Sequence, residues 1–193
     1  MEDIANFLFE IGTLKRMVRN SYQTLGSGGE TIAEHSFRCA MIGYALAKLE
    51  EEVDEDKVTK MCLFHDLLET RTGDQNWVHA KYVRSFEEEA RQDQCRGLPF
   101  GKEMLDLLKE YEERKTKEAI IVKDADVLEQ LLQEKEYYEI GNKQAELWME
   151  HSKGRIKTEN GLKLAEAIMD GSMKNWYLEL KEKPSKKKNN RIV

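Results

Sequence analysis

The chain has 193 residues, enough for one compact domain with a real core and too few to require two. Apolar residues make up 40% of it and charged residues 35%, which excludes a disordered chain; no apolar run exceeds the eight residues of AMIGYALA, far short of a bilayer span. The net charge of −6 is uneven: the last thirteen residues, KEKPSKKKNNRIV, hold six Lys or Arg against one Glu, leaving −11 on the first 180, an acidic body unsuited to general nucleic-acid binding.

Only two prolines, Pro99 and Pro184, interrupt a sequence rich in Leu, Ala, Glu, Lys and Met, so a helical fold is expected. The first helix is predicted over roughly residues 2–16, beginning in MEDIANFLFEIG, whose acids and lack of a basic flank do not fit a secretory signal. The loop RNSYQTLGSGGE follows, its glycines and serines breaking any periodicity. Thr31 and Glu34 form a capping-box signature for a second helix to about residue 51, and Asp54 is the expected N-cap of a third over 55–70. Residues 72–85 read as irregular. Short helices are expected near 85–95 and 100–114, a long one over 116–140, and two or three more over 143–153, 159–170 and 172–181. No segment sustains strand-like alternation, so the expectation is an all-α domain over residues 1–180, followed by a basic, disordered tail at 181–193. Cys39, Cys62 and Cys95 are an odd number without metal-finger spacing, which points to reduced thiols and a cytoplasmic protein.

Polar residues interrupt the core pattern at three places. The stripe Cys39, Ile42, Leu46, Leu49 of the second helix extends backward onto His35. On the third, Val58, Cys62, His65 and Glu69 share a face, with Asp66 beside it in LFHDLLET. A lone histidine on such a face is usually a hydrogen-bonded core residue. An unpaired buried carboxylate, however, costs several kcal/mol, and His65, Asp66 and Glu69 within one and a half turns call for a common solution. A divalent cation supplies it, taking imidazole nitrogen and carboxylate oxygen together. The third interruption is VKDADVLEQLL, residues 122–132: on an ideal wheel Asp124 lies beside the core face and Asp126 points nearly opposite. Periodicity alone nominates Asp124; a helix buried on both sides would leave Asp126 available.

With these residues in view, the chain resembles the HD-domain metal-dependent phosphohydrolases. Their motif is a His, an adjacent His-Asp pair and a distant Asp, matched here by His35, His65-Asp66 and Asp126. LKRMVRN, ETIAEHSFRCAM, LFHDLLETRTGD and VKDADVLEQ look like successive blocks of the small single-domain branch that contains the 5′-deoxynucleotidases, over roughly residues 5–180. The resemblance implies a compact helical bundle holding one divalent transition metal (Mn, Co, Fe or Zn) through His35, His65, Asp66 and Asp126, with Asp126 preferred to Asp124 on resemblance alone. It implies Glu69 as the acid that handles the attacking water, Arg16 as a phosphate-binding arginine and Asp74 as a partner of a sugar hydroxyl; Arg19 and Arg71 rank below Arg16 as phosphate groups. Met17 departs from the tryptophan of the bacterial deoxynucleotidases, so the resemblance does not extend to strict deoxyribose preference.

The function so implied is removal of phosphate from nucleoside or deoxynucleoside 5′-monophosphates. The partner would be a small nucleotide, with no membrane or specific nucleic acid, and the state a homodimer, as in relatives. Two rivals stand beside it: an HD phosphodiesterase or a nucleoside-triphosphate or alarmone hydrolase, and a helical binding protein with a vestigial site. WVHAKYV, residues 77–83, could line the pocket mouth, or Trp77 and His79 could be packing and surface residues.

Overall fold

The computed structural model describes residues 1–182, and these are helical throughout apart from loops and one isolated bridge between Val18 and Thr31. In chain order the helices are α1 (Glu2–Ile11), α2 (Ile32–Ala47), α3 (Glu55–Phe64), α4 (Glu69–Thr72), α5 (Trp77–Tyr82), α6 (Glu87–Cys95), α7 (Gly101–Glu113), α8 (Lys117–Glu139), α9 (Ala145–Lys153), α10 (Glu159–Asp170) and α11 (Asn175–Glu182). Short 3-10 helices cover Gly12–Arg16 and Asn20–Gln23. The all-α expectation holds. The basic tail, beyond the last residues of α11, lies outside the described residues. No described helix is long and apolar enough to cross a membrane.

The starts of the helices follow from their caps. Thr31 accepts from the Glu34 N–H while Glu34 reaches back to the Thr31 N–H at 2.7 Å, the reciprocal pair expected from the sequence. Asp54 caps α3 by accepting from Lys57, Thr116 caps α8 and Thr158 caps α10.

Four features differ from the sequence reading. The first helix gives way to 3-10 turns after Ile11, α2 ends at Ala47 rather than near 51, the segment expected to be irregular contains α5, and α3 stops at Phe64 rather than running to 70. Past Phe64 the chain tightens: Leu67 N–H bonds the Phe64 carbonyl and Glu69 N–H bonds the Asp66 carbonyl, both three residues back. Each residue in such a turn rotates further than in an α-helix, so an ideal wheel misplaces whatever follows His65.

Helix α8 is the axis of the molecule, packed by α2, α3, α7, α9 and α10. Its buried residues include Ala119, Val122 and Asp126 as well as Ile121, Ala125 and Leu128, so it is enclosed on more than one face. The main core joins α8 to Cys39, Ile42 and Leu46 of α2 and to Val58, Met61 and Cys62 of α3. Gly43 lets α2 and α3 meet closely: a Cβ there would stand 2.6 Å from Cys62 Sγ and 3.1 Å from Val58 Cγ1.

A second cluster, built on Phe7, Leu14, Ile32, Leu67 and Met104, seats the N-terminal segment against α7. It is reinforced by Glu10, which accepts from Arg71 at 2.7 and 2.8 Å, from Thr70 at 2.8 Å and from Gln94 at 2.8 Å. The Arg71 bonds outweigh the opposing effect of burial, and with Gln94 and Thr70 they hold the Glu10 carboxyl at about 2, below its ordinary 4.5. A depressed carboxylate stabilises the fold above its unfolded pKa and loses that contribution as pH falls through the folded one. The difference in urea midpoint between wild type and Glu10→Gln should therefore be fully present above pH 4.5 and shrink as the pH approaches 2; a difference independent of pH would remove the carboxylate's charge from this account.

Candidate metal centre

His35 lies in the first turns of α2 and is fully buried; His65 and Asp66 follow the end of α3; Asp126 lies in the first half of α8. The packing of α2, α3 and α8 brings these residues to one point. The two histidine Nε2 atoms are 3.3 Å apart, and Asp66 Oδ2 is 3.4 Å from that of His35 and 3.2 Å from that of His65. Asp126 Oδ1 is 3.5 Å from His35 Nε2.

What lies behind each imidazole decides what it presents in front. His65 Nδ1 is 2.8 Å from the Cys62 carbonyl, which can only accept, so the ring proton sits on Nδ1. His35 Nδ1 is 2.5 Å from Glu129 Oε2, a buried carboxylate that fixes the proton in the same way. Both Nε2 atoms therefore turn lone pairs toward each other and toward two carboxylates. Only a second ring proton or a cation can bridge these four acceptors, and a cation bridges all of them at once. Ligands about 2.1 Å from a first-row divalent ion lie roughly 3.0–3.4 Å apart at neighbouring vertices, close to the spacing seen.

Electrostatics points the same way. Burial opposes a charge on His65, yet Asp66 beside it, with Asp126 further off, raises its pKa to about 10. Carboxylates that hold a proton on an imidazole so firmly would hold a doubly charged ion more firmly still. Asp126 is kept well below the usual carboxylate range despite its burial, first by Lys123, whose Nζ is 2.7 Å away, and then by the two histidines.

Two other groupings meet at His35. Glu30 and Glu129 face its Nδ1 side, but Arg38 already supplies their positive charge, 2.7 Å from Glu129 and 3.5 Å from Glu30. Cys39 approaches His35 and His65, yet burial and its neighbour Cys62 push its thiol well above the ordinary range, away from the thiolate a metal would need. Of the three, only the centre between the Nε2 atoms combines two imidazoles with two carboxylates, which also pair with Arg19 and Lys123.

Around it opens a cavity of about 830 Å³, large enough for a nucleotide-sized ligand. Asp66, Asp126, Glu69 and Asp74 line it, as does Arg19. Arg19 is buried and donates from one terminal nitrogen to Asp66 at 2.9 Å, while its Nε has no hydrogen-bond partner. Arg16 differs from expectation: it is exposed at the end of the 3-10 helix and does not line the cavity. The reason is local, since the tightened turn over Gly12–Arg16 sends Leu14 inward and leaves Arg16 facing solvent. Arg71 is committed to Glu10, so of the three arginines only Arg19 reaches the site.

Glu69 is partly buried, with one carboxyl oxygen, Oε2, unpartnered. Burial first, and then Asp66 and Asp74, raise its pKa to about 9. Asp74 is held in place by the Asn20 backbone N–H, and its carbonyl accepts from Asn20 Nδ2 at 2.6 Å. Trp77 borders the cavity while largely exposed, and His79 is exposed outside it.

The acid that periodicity nominated has other work. Asp124 is buried and accepts from Lys157 N–H at 2.9 Å and from the Thr158 N–H and hydroxyl at 2.7 Å each, tying the start of α10 to α8. The residues that sequence reading passed over are Glu129, Arg38 and Lys123. Their signal was faint: Glu129 stands three residues after Asp126 and Arg38 three after His35, one turn along the same helices.

A model of the HD domain matches residues 11–168 of this chain. The 5′-deoxynucleotidase HDDC2 of Dictyostelium discoideum is 34% identical over 150 residues, 71% of this chain and 78% of that protein. Its counterpart of the same name in Bos taurus is 32% identical, over 75% of this chain and 73% of that one. Among solved structures, a conserved hypothetical protein from Pyrococcus furiosus superposes with a TM-score of 0.71 at 29% identity, covering 86% of this chain and 99% of its own. A predicted metal-dependent phosphohydrolase from Magnetospirillum magnetotacticum gives 0.65 at 27% identity, covering 88% and 90%.

Asp124→Ala would leave two backbone N–H groups and a hydroxyl near the start of α10 without their acceptor, at roughly 1–3 kcal/mol for the loss. Urea unfolding should report that destabilisation while the content of divalent metal in the purified variant stays at the wild-type level. Loss of metal from Asp124→Ala with unfolding unchanged would mean that the two acids have been assigned the wrong way round.

Proposed function

The chain belongs to the HD-domain phosphohydrolases, and from that premise we propose that it hydrolyses the phosphate ester of nucleoside or deoxynucleoside 5′-monophosphates. One observation carries the reading: His35, His65, Asp66 and Asp126 converge, and the two aspartates of that set line a nucleotide-sized cavity together with Arg19, Glu69 and Asp74. The name shared by the relatives from Dictyostelium and cattle supports the substrate class.

In this reading the four converging residues hold one divalent transition metal, whose ligand set of nitrogen and oxygen suits Mn, Co, Fe or Zn. When bound, such an ion would polarise the phosphoryl group and lower the pKa of water at the site. The rest falls to the protein. Arg19 keeps its guanidinium inside the cavity through Asp66, and its planar fork suits phosphate oxygens; it takes the part that the family resemblance gave to Arg16. Lys123 adds a second positive charge at the same end. Glu69 lines the cavity beside Asp66 with one carboxyl oxygen unpartnered, and that placement suits the base that takes a proton from the attacking water. Asp74, anchored by Asn20, faces the same cavity and can accept from a sugar hydroxyl.

His65→Ala and Asp126→Asn should each lose most of the bound divalent metal, measured by elemental analysis of the purified protein. Glu69→Gln should retain the metal while kcat falls on the order of 10²–10⁴-fold. Chelation should abolish activity and metal add-back restore it. On a nucleotide panel the expected products are nucleoside and inorganic phosphate from the 5′-monophosphates. Turnover confined to cyclic nucleotides or triphosphates would overturn the substrate assignment and leave the phosphohydrolase family standing.

A further inference from the structure

The cavity does not end at the metal centre. Asp126, Gln130 and Glu134 stand at i, i+4 and i+8 on α8, and all three line it. Eight residues of α-helix span about 12 Å, so this stripe leads away from the phosphate end over a length comparable to an extended nucleoside monophosphate.

At the far end lies a carboxylate that the chemistry at the metal does not use. Glu134 is fully buried. One of its oxygens, Oε1, accepts from Gln130 Nε2 at 2.9 Å and from Ser152 Oγ at 3.1 Å. The other, Oε2, is buried with no hydrogen-bond partner. Gln130 is itself oriented by Arg155, whose guanidinium donates to Oε1 of the amide at 3.0 Å. Trp148 lines the same part of the cavity and offers aromatic surface. A carboxylate so placed, with one oxygen fixed by two donors and the other left over, contributes nothing to the core that leucine would not contribute better. It suits a ligand that brings an N–H group.

We propose that Glu134 reads the nucleobase, favouring bases that carry an exocyclic amino group over thymine and uracil. This rests on the nucleotide reading of the site above. Adenine, cytosine and guanine can each direct an amino N–H to Oε2. Thymine and uracil flank their one ring N–H with two carbonyl oxygens, which a carboxylate repels. Trp148 would support the ring by stacking, which is tolerant of base identity and leaves discrimination to Glu134. Burial, partly offset by the bonds from Ser152 and Gln130, raises the Glu134 carboxyl to about 7, so the ionised acceptor form is best examined above neutrality.

The test is the binding of free nucleosides to the metal-loaded full-length protein by isothermal titration calorimetry in buffer well above neutral pH. Nucleosides carry no phosphate, so the result is independent of whether monophosphates are turned over. Deoxyadenosine and deoxycytidine should bind roughly tenfold more tightly than thymidine. Glu134→Gln keeps an oxygen for Gln130 and Ser152 but presents an N–H₂ group in place of Oε2, so the preference should shift toward thymidine; Glu134→Ala should erase it. Equal affinities in the wild type, no binding of any nucleoside, or a preference that Glu134→Gln leaves untouched would each overturn the proposal. Monophosphate hydrolysis without base preference would keep the nucleotidase reading and discard this one.

Discussion

The arrangement of α2, α3 and α8 brings two imidazoles and two carboxylates into one small volume, and the rest of the site depends on that convergence. Two imidazoles are fixed from behind, one by a carbonyl and one by Glu129, so that both present lone pairs to the same small volume. Two carboxylates, mostly buried, face them there. Replacing the whole set by well-packed apolar residues would remove its desolvation cost, so stability alone cannot explain it. The surroundings reinforce this. Glu129 is held near 2 by its bond with His35, against the effect of burial, and Arg38 balances it from outside the ring. The scaffold thus fixes the rear of the site, while at the front, where Arg19 and Lys123 also pair with the two carboxylates, four ligand atoms converge as a cation requires.

Much of this was legible in the sequence, for identifiable reasons. Helix starts were readable because caps are local: Thr31 with Glu34, and Asp54, need only three or four residues to act. His35 and His65 were readable because each broke an apolar stripe. What could not be read depended on departures from the ideal helix or on neighbours distant in sequence. The tightening after Phe64 re-aims Asp66 and Glu69, and nothing such as Gly or Pro marks it. In the stretch between α1 and α2, two 3-10 turns remove the periodicity that would separate an inward Arg19 from an outward Arg16. The choice between Asp124 and Asp126 needed a fact about the whole fold, namely that α8 is enclosed on several faces, so that a wheel with one buried side misrepresents it.

Helix α8 shows how little residue type alone determines. Four of its buried acids sit within eleven residues, and each has a different electrostatic surrounding. Asp124 receives backbone N–H groups at the start of α10, Asp126 has Lys123 and the histidines, and Glu129 has His35 and Arg38. Each of these three has donors or cations around its carboxylate. Glu134 has two neutral donors on one oxygen and none on the other, and its pKa rises where those of Asp126 and Glu129 fall. A helix that supplies partners to three acids and leaves the fourth half-satisfied has placed that unmet acceptor in a residue on the wall of the cavity. The two ends of the α8 stripe then play complementary parts: one gathers ligands for a cation and the other has an acceptor without a donor, and a metal-bound nucleotide could engage both.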